Sequence, residues 1–188
     1  MNDMTLARRC RAGLLAVVAV IAGLALPAPA IAADEEEGSG FRNGRETGLS
    51  VPRFVSLKAS QARMRIGPST DYATKWIYTQ RGLPLEITEE YGNWRRVRDY
   101  EGVSGWMSGA LLSGDRTAIV GPWLDEPIPL RRAPSAGSGV TAQLSPKVLM
   151  EIRGCDGRWC EARLPANGLD GYVEQSSLWG VYPGERFD

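Results

Sequence analysis

Cys155 and Cys160 are the residues of this 188-residue chain whose type and spacing point most directly to chemistry. They flank Asp156-Gly157-Arg158-Trp159, a segment typical of the turn in a β-hairpin. On such a hairpin the two cysteines would face each other across the strands, close enough to form a disulfide. We therefore predict a structural disulfide. A redox-active pair is the alternative, although the spacing is not that of a Cys-x-x-Cys motif.

No other group of side chains forms a recognisable catalytic motif. The chain contains no histidine, which removes the commonest general base and the commonest metal ligand. The adjacent carboxylates Glu89-Glu90 and Asp125-Glu126 are expected to project apart on strands or to lie in solvated loops, rather than to form an acid–base pair. A Gly-x-Ser-x-Gly elbow and a phosphate-binding glycine loop are also missing. We predict a protein that is not an enzyme and that uses no metal or cofactor.

The first 32 residues are typical of a secretory signal peptide. Arginines at positions 8, 9 and 11 precede an apolar run over residues 13–26, and Ala30-Ile31-Ala32 supplies small residues for cleavage. The run is shorter than the about 20 apolar residues that span a membrane. We predict cleavage after Ala32 and an exported protein, with the periplasm as the expected compartment and no membrane span after cleavage. An uncleaved anchor is the alternative.

Residues 33–50 are polar and begin with Asp34-Glu35-Glu36-Glu37. Low hydrophobicity and like charge predict a disordered acidic tether over this segment. Without residues 1–32, the chain keeps 19 basic and 21 acidic residues. This slight negative balance argues against a nucleic-acid partner, because nucleic-acid binding depends on cations that neutralise phosphates.

The remaining sequence contains two related units about 66 residues apart, and internal repeats of this kind define the building unit. The first unit contains Met64-Arg65-Ile66-Gly67-Pro68-Ser69, Leu85-Glu86-Ile87, Gly92-Asn93-Trp94 and Gly105-Trp106-Met107. The second contains Leu130-Arg131-Arg132-Ala133-Pro134-Ser135, Met150-Glu151-Ile152, Gly157-Arg158-Trp159 and Gly171-Tyr172-Val173. The register holds over four blocks, so the chain uses one small domain twice.

Each unit consists of short apolar or alternating runs separated by turn residues, which predicts a small all-β domain. Candidate strands are 54–57, 64–66, 75–78, 83–88, 94–99 and 105–107 in the first unit, and 129–131, 140–144, 148–153, 159–164 and 171–173 in the second. Single helical turns are expected at 108–112 and 174–178. The segment 117–120 fits either unit, and Gly121-Pro122 after it is a candidate boundary.

The first unit resembles the bacterial SH3 domain, whose pattern has an R-x-G-P-S-x start, an N-G-W-x-x-V middle and a G-W-V end. The matching segments are Arg65-Ile66-Gly67-Pro68-Ser69-Thr70, Gly92-Asn93-Trp94-Arg95-Arg96-Val97 and Gly105-Trp106-Met107. The second unit departs from the pattern at Arg132-Ala133 and at Tyr172. The resemblance covers nearly all of both units. It implies two tandem small SH3-like β-barrels joined by a short linker, over residues 51–120 and 121–188.

Strand alternation and glycine chemistry agree with this resemblance. Gly105 and Gly171 permit a close backbone approach or a bulge where a strand bends. Val97 and Ala162 should point into the two cores. By the same alternation Trp94 lies opposite Val97, so it covers a barrel rim or lines an open groove.

Bacterial SH3 domains are mostly non-catalytic modules of the cell envelope, often linked to peptidoglycan peptides, and they imply a candidate groove in the first unit. Tyr72, Trp94 and Trp106 would form that groove, with Arg65 and Asp71 as neighbours able to fix a carboxylate or an amine. The alternative is that the tryptophans are half-buried packing residues and that Arg65 and Asp71 are solvated. The second unit has Ala136-Gly137-Ser138 in place of Asp71 and Tyr72, which favours binding by the first unit.

Three functions follow from these features. The first is an exported binding module that recognises a peptidoglycan peptide or a peptide of an envelope protein. The second is an adaptor or accessory scaffold for an envelope protein. The third is a thiol-redox protein that uses Cys155 and Cys160.

Overall fold

The structure is a computed structural model that describes residues 40–188. The expected signal peptide and the first residues of the expected tether, 33–39, lie outside this range. The regular secondary structure of the described residues is β-strand, apart from two short 3-10 turns at Gly109–Leu111 and Gln175–Ser177. Both turns lie where single helical turns were expected. None of the helices between residues 40 and 188 has the length and apolar character needed to cross a membrane.

A short hairpin and a seven-stranded antiparallel sheet form the first half of the described chain. The hairpin pairs β1 (Arg42–Asn43) with β2 (Ser50–Val51). The sheet contains β3 (Arg53–Leu57), β4 (Ala62–Arg65), β5 (Thr74–Tyr78), β6 (Pro84–Tyr91), β7 (Trp94–Arg98), β8 (Ser104–Ser108) and β9 (Leu112–Ser113). Its strand order is β5-β4-β8-β7-β6-β3-β9.

A second antiparallel sheet repeats this arrangement. It contains β10 (Thr117–Val120), β11 (Ile128–Arg131), β12 (Val140–Leu144), β13 (Leu149–Asp156), β14 (Trp159–Arg163), β15 (Asp170–Glu174), β16 (Leu178–Trp179) and β17 (Arg186–Phe187). The order is β12-β11-β15-β14-β13-β10-β16, with β17 added to β13. Each strand from β10 to β16 takes the place of its counterpart from β3 to β9. The predicted all-β architecture of two tandem SH3-like domains is therefore confirmed.

The boundary between the two domains differs from the expected one. Thr117–Val120 is β10, which pairs with β13 on one side and with β16 on the other. All four of its residues are buried, and Ala118 and Val120 belong to the second core. The second domain therefore begins before Gly121-Pro122, and β10 is the counterpart of β3 rather than the last strand of the first domain.

Residues 40–50 also differ from the expected disordered tether, because they form the β1–β2 hairpin. The carboxylate of Glu90 accepts hydrogen bonds from the backbone amides of Glu46 and Thr47, both at 3.0 Å, and from the Thr47 hydroxyl at 2.7 Å. Glu90 lies 43 residues from Thr47 along the chain. The composition of residues 40–50 therefore predicts a polar segment, but it does not show that the buried Glu90 carboxylate orders this segment.

Each domain has its own core, and the alternation of side chains along the strands builds it. Val97 and Ala162 are fully buried in the first and second cores, as expected. Gly105 and Gly171 allow a close approach between strands. A Cβ atom on Gly105 would lie 2.7 Å from the carbonyl oxygen of Arg65, and one on Gly171 would lie 2.6 Å from that of Arg131.

Side chains of the second domain donate hydrogen bonds to the first. The Thr117 hydroxyl donates to the carbonyl oxygen of Gly82 at 2.7 Å, and the Trp179 indole donates to that of Pro84 at 3.3 Å. The Tyr182 hydroxyl donates to the Glu86 carboxylate at 3.0 Å. The described residues accordingly fall within one compact unit.

Candidate functional site

The outward surface of β4, β8 and β7 carries most of the predicted site residues. Trp106 is paired with Arg65 on one side and with Arg96 on the other, and Trp94 is paired with Ser108. Paired residues share a sheet face, so the two tryptophans are diagonal neighbours. Both are half-buried. We call this surface the front face, defined by these five residues.

A groove of about 400 Å³ opens at one side of the front face. Trp94 and Arg65 both line it, whereas Trp106, Asp71 and Tyr72 are not part of its wall. The full set of lining residues is Gln61, Ala62, Arg63, Arg65, Thr70, Trp94, Ser108 and Leu111. The structure thus brings two of the five predicted residues into one groove and places Trp106 beside it on the same face.

Arg65 holds the loop between β4 and β5 in place. Its Nη1 atom donates a hydrogen bond to the carbonyl oxygen of Tyr72 at 2.6 Å. The Tyr72 ring covers Gly67, where a Cβ atom would lie 2.6 Å from two ring carbons. In the second domain, Arg131 donates in the same way to the carbonyl oxygen of Ser138 at 2.8 Å. Because the contact recurs in both domains, part of the role of Arg65 is to position this loop.

Asp71 lies at the tip of the same loop. The Ser69 hydroxyl donates to the Asp71 carboxylate at 3.0 Å, and the Asp71 amide donates to the Ser69 hydroxyl at 3.2 Å. The side chain is exposed and makes no salt bridge within residues 40–188. Asp71 therefore shapes the loop beside the groove and does not form its wall.

The groove is positively charged. Arg63 and Arg65 both line it, and no carboxylate does. Arg63 was not predicted as a site residue, although its spacing of two residues from Arg65 on a strand was a usable signal, since such residues share a face. A guanidinium binds a carboxylate through parallel hydrogen bonds, so this groove suits a ligand with a free carboxylate.

The second domain has a different surface at the corresponding positions. Trp159, the counterpart of Trp94, is only 5% exposed. Tyr172 takes the place of Trp106 and is paired with Arg131. The half-exposed tryptophan pair is therefore a feature of the first domain.

Cys155 and Cys160 form the predicted disulfide. They are paired residues on β13 and β14, with their Cα atoms 4.1 Å apart. At the corresponding register of the first domain, Glu90 is paired with Arg95, and the Arg95 Nε atom lies 3.5 Å from the carboxylate. An ion pair thus takes the place of the disulfide.

Glu90 is a buried anion surrounded by donors. Besides the hairpin, Arg53 donates to its carboxylate at 2.8 Å. Burial alone would raise the pKa of this carboxyl, but the hydrogen bonds from Thr47, Arg53 and the two hairpin amides outweigh burial and lower the pKa to about 2. Its neighbour Glu89 points outward and pairs with Arg96 at 2.9 Å. The two carboxylates therefore project apart, as expected for neighbours on a strand.

No cluster of three or more cysteine and carboxylate side chains that could hold a metal ion occurs between residues 40 and 188. The groove offers an aromatic ring, two guanidinium groups and the hydroxyl groups of Thr70 and Ser108.

Comparison with known protein families agrees with the duplicated fold. The family profile described as bacterial SH3 domain matches residues 58–114 and 125–180, which is more than half of the chain. No curated protein sequence matches the chain significantly.

Among solved structures, the chain is similar to an NlpC/P60 family protein from Bacillus cereus ATCC 10987, with 12% identity and a TM-score of 0.30. The alignment covers 67% of this chain and 55% of that chain, so this chain spans little more than half of that protein's length. The two matched segments, one in each sheet, show the family. The chain belongs to the bacterial SH3 domain family and contains two tandem copies of the domain.

Proposed function

We propose that this protein is an exported, non-catalytic binding module whose first domain recognises an extended peptide of the cell wall or envelope. The observation that carries the proposal is the groove in which Trp94 lies beside Arg63 and Arg65 with no carboxylate in the wall. Aromatic-lined grooves on SH3-like domains bind extended peptides by packing the chain against the ring.

Each part of the site has a distinct role in this proposal. The Trp94 ring provides an apolar surface for the peptide backbone, and Trp106 continues that surface along the front face. Arg63 binds a free carboxylate of the peptide, as found in peptidoglycan peptides. One N–H group of Arg65 donates to the Tyr72 carbonyl oxygen and fixes the loop. The other N–H groups of its guanidinium can face the ligand.

Export of the protein to the periplasm is part of the proposal. Residues 1–32 have the charge and hydropathy pattern of a signal peptide. The disulfide between Cys155 and Cys160 is compatible with an oxidising compartment. A peptidoglycan ligand would be accessible there.

Co-sedimentation of residues 33–188 with purified peptidoglycan tests the function, together with calorimetric titration of soluble wall peptides. Trp94→Ala combined with Trp106→Ala should weaken binding at least about tenfold, because truncating the aromatic residues that anchor a ligand commonly weakens binding by this factor or more. Arg63→Glu should weaken binding further and reduce the dependence of binding on salt. The substitution replaces a positive charge that attracts the ligand carboxylate with a negative charge that repels it.

Trp123→Ala is the matched control, because Trp123 is 54% exposed in the second domain and lies outside the groove. It should leave binding unchanged. Peptidoglycan binding that survives both the double substitution and Arg63→Glu would contradict the proposed site. Absence of binding by the unsubstituted protein would contradict the proposed ligand.

A further inference from the structure

A cleft of about 590 Å³ lies between the two domains. Its walls are residues 56–58 and 81–82 of the first domain and residues of β13 in the second. The walls are joined where the Thr117 hydroxyl donates to the carbonyl oxygen of Gly82 at 2.7 Å. We call this cavity the interdomain cleft. It shares no lining residue with the Trp94 groove, and its size and its place between domains are typical of small-ligand sites.

The Ser56 hydroxyl in the wall of the cleft has no hydrogen-bond partner among residues 40–188. Val55 and Leu57 belong to the first core, so Ser56 between them faces outward from β3. The residue is nevertheless only 3% exposed. Buried hydroxyl groups are nearly always hydrogen-bonded, so this one is available to a ligand in the cleft.

Two cations of the cleft are also unpaired within the described residues. Lys58 and Arg81 line it from the first domain, and neither forms a salt bridge between residues 40 and 188. Arg116 and Arg153 line it as well, but both form salt bridges with carboxylates of the second domain, at 2.8 and 3.1 Å. Lys58 and Arg81 are therefore the cations available to a ligand.

Glu151 brings a negative charge to the opposite wall. It is paired with Thr117 across β10 and β13, and the two residues share the face that is turned to the first domain. Its counterpart in the first domain, Glu86, accepts hydrogen bonds from Arg98 at 2.8 Å and from Tyr182 at 3.0 Å. Glu151 is exposed and forms no salt bridge within residues 40–188. The same position is thus occupied by partners in one domain and open in the other.

Unpaired charges of both signs favour a zwitterion over a simple ion. An anion would engage only Lys58 and Arg81, whereas a cation would engage only Glu151. Asp115, the other carboxylate of the cleft, already accepts a hydrogen bond from Ser113 at 2.7 Å. A short peptide with free ends carries one carboxylate and one ammonium group, and its backbone supplies polar groups between them.

We propose that the interdomain cleft binds a short peptide with free termini. Lys58 and Arg81 bind its carboxylate, Glu151 binds its ammonium group, and the Ser56 hydroxyl bonds its backbone. Leu149 lines the cleft beside these groups and contacts an apolar side chain. The site is independent of the Trp94 groove, so the protein has two places for peptides, and only this one requires both free ends.

Trialanine with free termini is the probe, titrated into nitrogen-15-labelled residues 33–188. The expected result is a change in the amide resonances of residues 56–58, 81–82 and 149–153. N-acetylated trialanine and trialanine amide each lose one charge and should bind about twofold to fivefold more weakly, the usual contribution of an exposed ion pair.

Substitutions assign each charge to one end of the peptide. Lys58→Gln with Arg81→Gln should weaken trialanine by about fivefold and leave the binding of trialanine amide unchanged, because the amide has no carboxylate to lose. Glu151→Gln should weaken trialanine and leave the acetylated peptide unchanged. Arg132→Gln and Glu126→Gln are the matched controls, because both residues are exposed and lie outside the cleft. They should have no effect.

Ser56→Ala tests the buried hydroxyl. It should weaken all three peptides and leave the melting temperature unchanged, because the hydroxyl has no partner to lose within the described protein. Trp94→Ala with Trp106→Ala should leave trialanine binding intact, so failure of this site and failure of the wall-peptide site are separable.

Three results would each overturn the proposal. The first is the absence of resonance changes at trialanine concentrations up to about 10 mM. The second is equal binding of the free and blocked peptides. The third is a set of resonance changes centred on Trp94 and Trp106.

Discussion

Glu90 and Arg95 in the first domain occupy the positions that Cys155 and Cys160 occupy in the second. In both domains the two residues are paired across the same turn. The second domain joins its strands covalently, whereas the first uses a buried carboxylate that also binds the β1–β2 hairpin. The residue types at this one pair of positions therefore determine whether a disulfide or an ion pair joins the two strands beside the turn.

Glu90→Gln should destabilise the protein by about 3 kcal/mol at pH 7, because the folded state holds the pKa of this carboxyl near 2. A lowered folded-state pKa contributes stability above the unfolded pKa of about 4.5, and this contribution is lost as the pH falls towards 2. The difference between the variant and the unsubstituted protein should therefore shrink between about pH 5 and pH 2. Urea unfolding over this pH range measures it.

Glu89→Gln is the control at the neighbouring position, since the Glu89 side chain is 41% exposed in its pair with Arg96. Surface ion pairs contribute roughly 0 to 1 kcal/mol, so this variant should stay close to the unsubstituted protein. An equal loss in both variants, or a loss that persists unchanged at pH 2, would show that the Glu90 anion does not hold the hairpin.

At the scale of elements, both sheets depend on a glycine that lets one strand lie close over another. Gly105 in β8 faces the β4 backbone, and Gly171 in β15 faces β11 in the same way. The periodicity of the strands and these two glycines were readable from the sequence. The observed strands accordingly lie within a few residues of those predicted in both units.

Gly105→Ala should destabilise the protein by about 1 to 3 kcal/mol, the usual cost of overpacking. The added Cβ would lie 2.7 Å from the Arg65 carbonyl oxygen and 2.8 Å from the Met64 side chain, so β8 must shift away from β4. Gly114→Ala is the control, because a Cβ there meets no atom within 4 Å. Thermal unfolding compares the two. Equal stability of both variants would contradict the close approach.

At the scale of the whole molecule, aromatic packing and hydrogen bonds join the two domains. The Phe54 ring of the first domain packs edge-on against Trp179 of the second, with ring centroids 5.1 Å apart, and against Tyr182 at 4.7 Å. Burial, followed by the nearby Glu86 carboxylate, raises the pKa of the Tyr182 hydroxyl, so the hydroxyl stays protonated and donates to Glu86. The two domains therefore share an interface built from residues far apart in sequence.

Because the two domains share this interface, we expect residues 40–188 to unfold in a single cooperative transition. Trp179→Ala removes both the contact with Phe54 and the hydrogen bond to Pro84, at a cost on the order of 3 kcal/mol. We expect calorimetry of this variant to separate into two transitions, one for each domain. Trp123→Ala should keep the single transition, because Trp123 is largely exposed. One unchanged transition in Trp179→Ala would mean that the domains are not coupled through this contact.

The sequence alone determined the features that depend on local periodicity. Alternation places Val97 and Ala162 in the cores, the repeat spacing of about 66 residues defines two domains, and the turn between Cys155 and Cys160 brings the thiols together. Each of these follows from neighbours on one strand or one hairpin.

Tertiary structure decided what depends on partners distant in the chain. It placed Thr117–Val120 in the second sheet, ordered residues 40–50 around Glu90, and engaged Arg65 with the Tyr72 loop. It also left β5 as an open edge while most other strands acquired two neighbours. The physical reason is that strand pairing and burial of an ion are long-range contacts. A local pattern specifies which face of a strand is apolar, but it does not specify which strand or anion will lie beside it.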